Sequence, residues 1–363
     1  MHVISATSRP PRRRTALGLS LFLSVAALTT ACDSSTIHFS NEPGVLPALT
    51  GIDKIRDEAV RTEVAAIERA DSLAQALTND RCPQCATALQ EISTNSAQRL
   101  TTLGGVWQPW EDNVNEDVER PPAVADAPMT VESFISWLVA GAQRDLAVAA
   151  DPSVTHSQDS LVLASTALGR YADARALSEA YGVDLFAGSA ALNTANSRLV
   201  GRQEAELIAQ TNVGTWSLSS DDLLSNQSLP AVEYVEGDSS VSGSAELAEA
   251  IVVWDCVAQT LPRTEVLDGQ PLDATVRSDR LMVRVDRILD TGVADQRIPR
   301  CSLESRQVEE LARNLIAADI SLLNSESAAV RLTGLHAALE DISDYQTISP
   351  QAFGALVGVT QAG

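Results

Sequence analysis

Lysine is almost missing from this chain of 363 residues: Lys54 stands alone against 25 arginines. Lys54 lies in no glycine-rich phosphate loop, and neither Gly-x-Ser-x-Gly nor Ser-x-x-Lys occurs, so the common nucleotide-cradling and nucleophile-elbow chemistries have no sequence support. The arginine bias itself reads as genomic composition. Histidine is scarce too, with only His38, His156 and His336 beyond residue 31. The residues three places before them are Ser35, Ser153 and Thr333, so Glu-x-x-His is absent, and with it the ligand pattern of di-iron helix bundles. His336 and Glu340 share a helix face, which reads as an exposed contact; neither a metal nor any other cofactor is expected. Aromatic side chains are few, and Trp107, Trp110, Trp137, Trp216 and Trp254 read as core or loop anchors rather than as a ligand platform. Acids are spread throughout, so carboxylate chemistry stays open.

Long apolar runs are absent as well. The longest near the start, Ala16 to Leu28, is thirteen residues, too short for a membrane span of about 20. It follows Arg12, Arg13 and Arg14 and precedes Thr29-Thr30-Ala31-Cys32, the tripartite layout of a secretory signal over residues 1–31. Leu-Thr-Thr-Ala-Cys resembles a bacterial lipobox, which implies a lipid on Cys32, although Leu28 sits one place earlier than the usual leucine. Ordinary cleavage after Ala31 is the alternative. The arginines followed by Thr15-Ala16-Leu17 weakly resemble a twin-arginine signal, and the export route stays open. The expected location is extracytoplasmic, held at the cell membrane through lipid on Cys32.

Setting Cys32 aside leaves Cys82, Cys85, Cys256 and Cys301, an even number suited to an oxidising compartment. Of the three pairings, Cys82 with Cys85 and Cys256 with Cys301 is favoured, because each pair then falls within one helical region. Cys82-Pro83-Gln84-Cys85 places Cys82 near a helix N-cap, where free amides favour a thiolate. A structural clip is the expected role; the alternative is a thiol-disulfide oxidoreductase. The thioredoxin context is missing, since the motif joins two helices, and Ala86 excludes the haem-attachment pattern. Without residues 1–31 there are 22 basic against 48 acidic residues, a formal charge of −26. Such a surface repels nucleic acid and favours solubility.

The remaining pattern predicts an all-α chain of two antiparallel helical bundles. Residues 32–50 read as a tether, 51–183 as an N-terminal bundle, 184–243 as an irregular connection with one short helix at 202–210, and 244–363 as a C-terminal bundle. Thr50-x-x-Asp53 resembles a capping box, and Ile52, Ile55, Ala59, Ala66, Ala70, Leu73 and Leu77 form a stripe. Pro83 starts a second helix that Gly104 closes. Residues 105–129, with four prolines, form a long connection. Thr130 caps a third helix, and a fourth runs from Ser157 to Tyr181 with a stripe of Leu161, Ala164, Leu168 and Tyr171. Hairpin, crossover, hairpin is the order of ferritin-like bundles, although an up-down bundle with one decorated loop would read alike. Later helices are expected from Ser244 to a stop at Pro262, over 272–290, around Val308–Leu322, and around Leu332–Ile342, followed by an apolar tail packed back on the bundle.

Arg277, Arg280, Arg284 and Arg287 share one face of the 272–290 helix and could contact an anionic partner, an envelope protein or polymer. The alternative is a solvated face balanced by Asp273, Asp279, Asp286 and Asp290. The segments "SAELAEAIVVWDCVAQTLPR", "VEELARNLIAADISLLN" and "AAVRLTGLHAALEDIS...SPQAFGALVGV" resemble a ferritin-like domain of unknown function found in actinobacterial secreted and lipidated proteins. The resemblance covers the last third of the chain and implies a shape, with no catalytic residues. The expectation is an exported, lipid-anchored envelope protein with a binding or structural role.

Overall fold

In the computed structural model, residues 46–77, 82–110, 119–185, 239–268, 273–301, 303 and 306–358 are described. Among them are eight helices of at least 14 residues and no strand. The signal segment, Cys32, most of the tether and the expected 202–210 helix lie outside the described residues. The helices are α1 (Gly51–Ala76), α2 (Pro83–Leu103), α3 (Val131–Ala149), α4 (Ser157–Tyr181), α5 (Ala245–Asp268), α6 (Ala274–Asp290), α7 (Val308–Ser321) and α8 (Ala328–Tyr345).

Local chemistry explains most of the ends. Pro83 opens α2, where its missing N–H has no helical partner to lose, and Gly104 closes it in the left-handed region at φ 96°. Thr130 Oγ1 accepts the Ser133 N–H at the start of α3. Thr50 precedes α1 in an extended conformation, but its side chain makes no capping bond, so the capping box does not form. The other departure is Pro262. It does not stop α5, which continues to Asp268. Proline lacks the N–H that would bond the carbonyl four residues back. That carbonyl, Ala258 O, instead accepts the Ser278 hydroxyl from α6 at 2.7 Å.

Helix directions follow from side-chain partners. Arg56 and Asp159 join the beginnings of α1 and α4, while Cys85 at the start of α2 lies against Ala180 at the end of α4. Arg69, late in α1, donates to Ala127 O just before α3, whereas Arg144, late in α3, reaches Glu58 early in α1. The four helices therefore run up, down, down, up. The link from α2 to α3 must climb the bundle, and its described parts, 104–110 and 119–130, lie along α1. The Trp107 N–H meets Asp57, Pro122 O meets Arg61, and Ala127 O meets Arg69. The second half repeats the plan. Ser278 meets Ala258, Thr264 meets Arg306 O, and Arg284 meets Asp341, so α5 to α8 also run up, down, down, up. Here the climbing link connects α6 to α7, and its described residue Cys301 is bonded to Cys256 of α5.

Both halves lie within one compact unit, Gly44–Gly363. Helix α4 shows why. Its expected apolar stripe is widened into burial around the whole circumference from Leu163 to Ala174, because α2 and α3 cover one side while α8 and the turn Leu322–Asn324 cover the other. Helix α8 is likewise buried without a break from Thr333 through Leu339. Arg331 of α8 donates to Ala149 O and Thr155 O, and Gln346 donates to Ala172 O. The apolar tail completes the join: Val357 N–H meets Ser165 O on α4.

Two glycines permit these close approaches. A Cβ on Gly169 would strike Ala355 O of the tail, and one on Gly334 would strike Asp319 O of α7. Gly169→Ala should lower unfolding free energy by about 1–3 kcal/mol, since only backbone movement relieves the clash. Gly354→Ala, with open space around its Cβ position, should leave stability within about 0.5 kcal/mol. Urea denaturation of the two variants beside the parent chain checks both.

Candidate functional site

Five ionisable side chains meet in the middle of the first bundle, drawn from all four helices. Glu63 of α1 is central and fully buried. Its Oε2 accepts from Arg99 Nε of α2 at 2.9 Å, and its Oε1 accepts from Arg170 Nε and NH2 of α4 at 2.8 and 2.6 Å. Arg170 NH1 continues to Asp145 Oδ2 of α3 at 2.8 Å, and Arg99 NH2 pairs with Asp173 Oδ2 of α4 at 2.8 Å. Burial alone would raise the Glu63 pKa, but Arg170 and Arg99 outweigh it and hold the carboxyl below its ordinary value. At Asp173 the balance is reversed. Burial outweighs Arg99 and the Asn95 amide, and pushes its pKa up to about 6.

The guanidinium groups of Arg99 and Arg170 thus stand between the carboxylates at the bundle centre. Sequence reasoning missed this cluster, although a signal was present. Glu63 falls on the apolar stripe of α1, four places after Ala59 and three before Ala66, and a charge in such a position must find a buried partner.

The second bundle has its own polar centre, again from four helices. Arg284 of α6 donates to both Asp341 oxygens and to Glu340 of α8, at 2.9–3.0 Å, and lies over the Trp254 ring of α5 at 5.3 Å. Trp254 Nε1 donates to Asp319 Oδ1 of α7 at 2.8 Å. Burial first, and then the charge of Asp341, raise the Asp319 pKa well above the ordinary carboxylate range, against the pull of Arg284. His336 is buried, not exposed as expected from its helix position, and Glu340 turns to Arg284.

These contacts also relocate the arginine stripe. Arg280 pairs with Asp344, and Arg277 donates to Asp344 O while lying over the Tyr345 ring. Arg284 is buried, and Arg287 is half-buried on the same helix. Three of the four arginines, Arg277, Arg280 and Arg284, therefore hold α6 against α8 through groups on a neighbouring helix that periodicity cannot show.

A cavity of about 590 Å³ opens beside the first bundle. Its walls are the 46–49 segment, Lys54, Asp57, Glu58 and Arg61 of α1, Trp107, Glu119 and Pro122 of the climbing link, and Trp137, Gly141 and Arg144 of α3. Trp107 and Trp137 are half-buried and line this space, and they also fit their reading as anchors: Trp107 N–H ties the link to Asp57, Trp137 packs on the core beside Phe134, and Trp254 is a core residue. The cavity touches the buried cluster: a Cβ on Gly141 would lie 3.2 Å from Arg170 NH1, and Arg144 Nε donates to Asp145 Oδ1 at 2.7 Å.

Both expected disulfides form, Cys82 with Cys85 and Cys256 with Cys301. The latter closes a separation of 45 residues, worth about 4 kcal/mol in the chain-entropy picture, while the separation of 3 in the former is worth about 2. Neither the 590 Å³ cavity nor the adjoining one near Gly104 and Trp107 is lined by cysteine. Among the described residues no group of three or more His, Cys, Asp or Glu side chains is arranged to hold a metal ion.

Glu63→Gln should cost about 3–5 kcal/mol in unfolding free energy, because Arg99 and Arg170 stay buried with their shared charge removed. Asp173→Asn should act oppositely and depend on pH. A folded pKa of about 6 above the ordinary 3.8 means that protonated Asp173 contributes stability fully below about pH 4, and this contribution is lost as pH rises through 6. Asparagine keeps the neutral form, so the variant should match the parent near pH 4 and exceed it by up to about 3 kcal/mol at pH 7. Thermal and urea denaturation at pH 4, 5.5 and 7 measures both.

No protein-family model, no curated protein and no solved structure matches this chain.

Proposed function

We propose that this chain is an exported, lipid-anchored cell-envelope protein that binds a small polar ligand or a partner, rather than an enzyme. The observation that carries the binding reading is the cavity between α1, α3 and the climbing link. Its volume of about 590 Å³ falls in the range of small-molecule sites, and it combines two tryptophan side chains with charged groups of both signs. The two disulfides support an oxidising, extracytoplasmic setting. Lipid on Cys32 would hold the helices at the membrane surface, in keeping with the lack, among the described residues, of any helix long and apolar enough to cross a membrane. The order hairpin, climbing link, hairpin supports a ferritin-like shape for the C-terminal region. At the matching place in the first bundle, arginines lie between the carboxylates, an arrangement suited to structure rather than iron chemistry.

Expression of the chain in a bacterium that lipidates exported proteins tests the anchor. The parent should fractionate with membranes and incorporate an alkyne-tagged fatty acid, whereas Cys32→Ala should lose the label and be recovered in the soluble exported fraction. Membrane retention of unlabelled Cys32→Ala would remove the lipid anchor from this reading. Crosslinking in intact cells through a photoreactive residue at Trp107 then identifies what occupies the cavity.

A further inference from the structure

The geometry points to the Cys82–Cys85 disulfide as an exchange site for a dithiol, a cysteine pair on another exported polypeptide, with Cys82 as the sulfur attacked. This inference does not depend on the cavity or on the anchor.

The two sulfurs are unequal. Cys82 is the N-cap of α2 and half-exposed, whereas Cys85, one turn in, is 2% exposed. Cys82 is the less buried residue, and its sulfur is assigned as the one an incoming thiolate reaches. Each sulfur also has a waiting hydrogen-bond partner for the reduced state. The Cys85 N–H, shared with Cys82 O, also points to Cys82 Sγ at 3.3 Å, where it and the positive end of the α2 dipole stabilise a thiolate. Cys85 Sγ lies 3.3 Å from Ala180 O at the end of α4, a carbonyl that a Cys85 S–H can donate to. Ala180 O is farther from Cys82 Sγ, at 3.6 Å, so the opposing negative end of α4 bears more on the buried sulfur, which is the one that is protonated.

Opening this bond leaves the fold in place. The turn is held independently by the Cys85 and Ala86 N–H groups, which both donate to Cys82 O. The two thiols stay one helical turn apart, ready to close again. The Cys256–Cys301 bond shares the contrast in exposure, with Cys256 buried and Cys301 half-exposed, but differs in its surroundings. Cys256 lies inside α5, Cys301 lies on the climbing link with no helix start at either sulfur, and their bond holds that link to the helix.

In the exchange, one thiolate of the external dithiol attacks Cys82 Sγ, forming a mixed disulfide and breaking the Cys82–Cys85 bond. Cys85 leaves with the electron pair, takes a proton from water and donates it in a hydrogen bond to Ala180 O. The second thiolate of the external pair then attacks its own bonded sulfur and releases Cys82 as the thiolate. Two electrons pass from the external dithiol to the chain: the dithiol becomes a disulfide, and Cys82–Cys85 becomes the reduced pair.

The test uses the full chain carrying Cys32→Ala, so that only the four paired cysteines remain. It is incubated with reduced glutathione under native conditions, quenched in acid at timed points, alkylated and mapped by peptide mass. The expected result is a glutathione adduct on Cys82 with Cys85 alkylated, forming at least about ten-fold faster than any opening of Cys256–Cys301. Equal opening of the two disulfides, an adduct on Cys85, or no opening until denaturant is added would each overturn the inference. As a second arm, the Cys82 thiolate of Cys85→Ser should attack a one-cysteine peptide activated as its 2-thiopyridyl disulfide, capturing the peptide on Cys82 and releasing pyridine-2-thione; a correctly folded Cys85→Ser chain that captures none would also overturn it.

Discussion

Everything in the first bundle is arranged around one buried carboxylate, Glu63, held between Arg99 and Arg170. A charge in the middle of a helix bundle is tolerable only when countercharges reach it with hydrogen-bonding geometry. That requirement fixes more than one contact. Arg170 must reach Glu63 and Asp145 together, and Arg99 must reach Glu63 and Asp173, so the relative heights and rotations of four helices are specified by one set of pairs. Alanine-rich helices supply little shape for such registration, because their surfaces are smooth. The charged centre supplies what the small side chains do not.

The second bundle meets the same need with fewer charges and a tryptophan. Arg284 serves Glu340 and Asp341, while the Trp254 indole donates to one oxygen of Asp319. Burial first, and then the neighbouring charge of Asp341, outweigh Arg284 and drive Asp319 toward its neutral form. The two centres are alternative answers to one constraint. In each, every helix of the bundle contributes a polar group.

The climbing link ties this architecture to its surface. Because α2 and α3 run in the same direction, the chain must return the length of the bundle, and the described parts of that return, 104–110 and 119–130, touch α1 at Asp57, Arg61 and Arg69. Trp107, Glu119 and Pro122 of the link line the cavity together with Trp137 of α3. Gly141 and Arg144 bring that space to the edge of the buried cluster. Any occupant of the cavity would therefore rest on the element that registers the bundle.

Local rules of sequence determined a large part of this protein. Helical periodicity placed the helices, Pro83 and Gly104 marked their ends, Thr130 capped α3, and the even count of cysteines beyond Cys32 led to the observed pairing. These signals depend on neighbours within a few residues and survive in a linear reading. Partners on other helices do not. Pro262 reads as a stop until Ser278 takes the carbonyl it frees, the arginine stripe reads as surface until α8 covers it, and α4 reads as one-sided until the second bundle and the tail close over its other face. Only the tertiary structure decided these, because a buried charge, a freed carbonyl or a bare glycine is satisfied across space by a residue whose position in the chain carries no mark of the meeting.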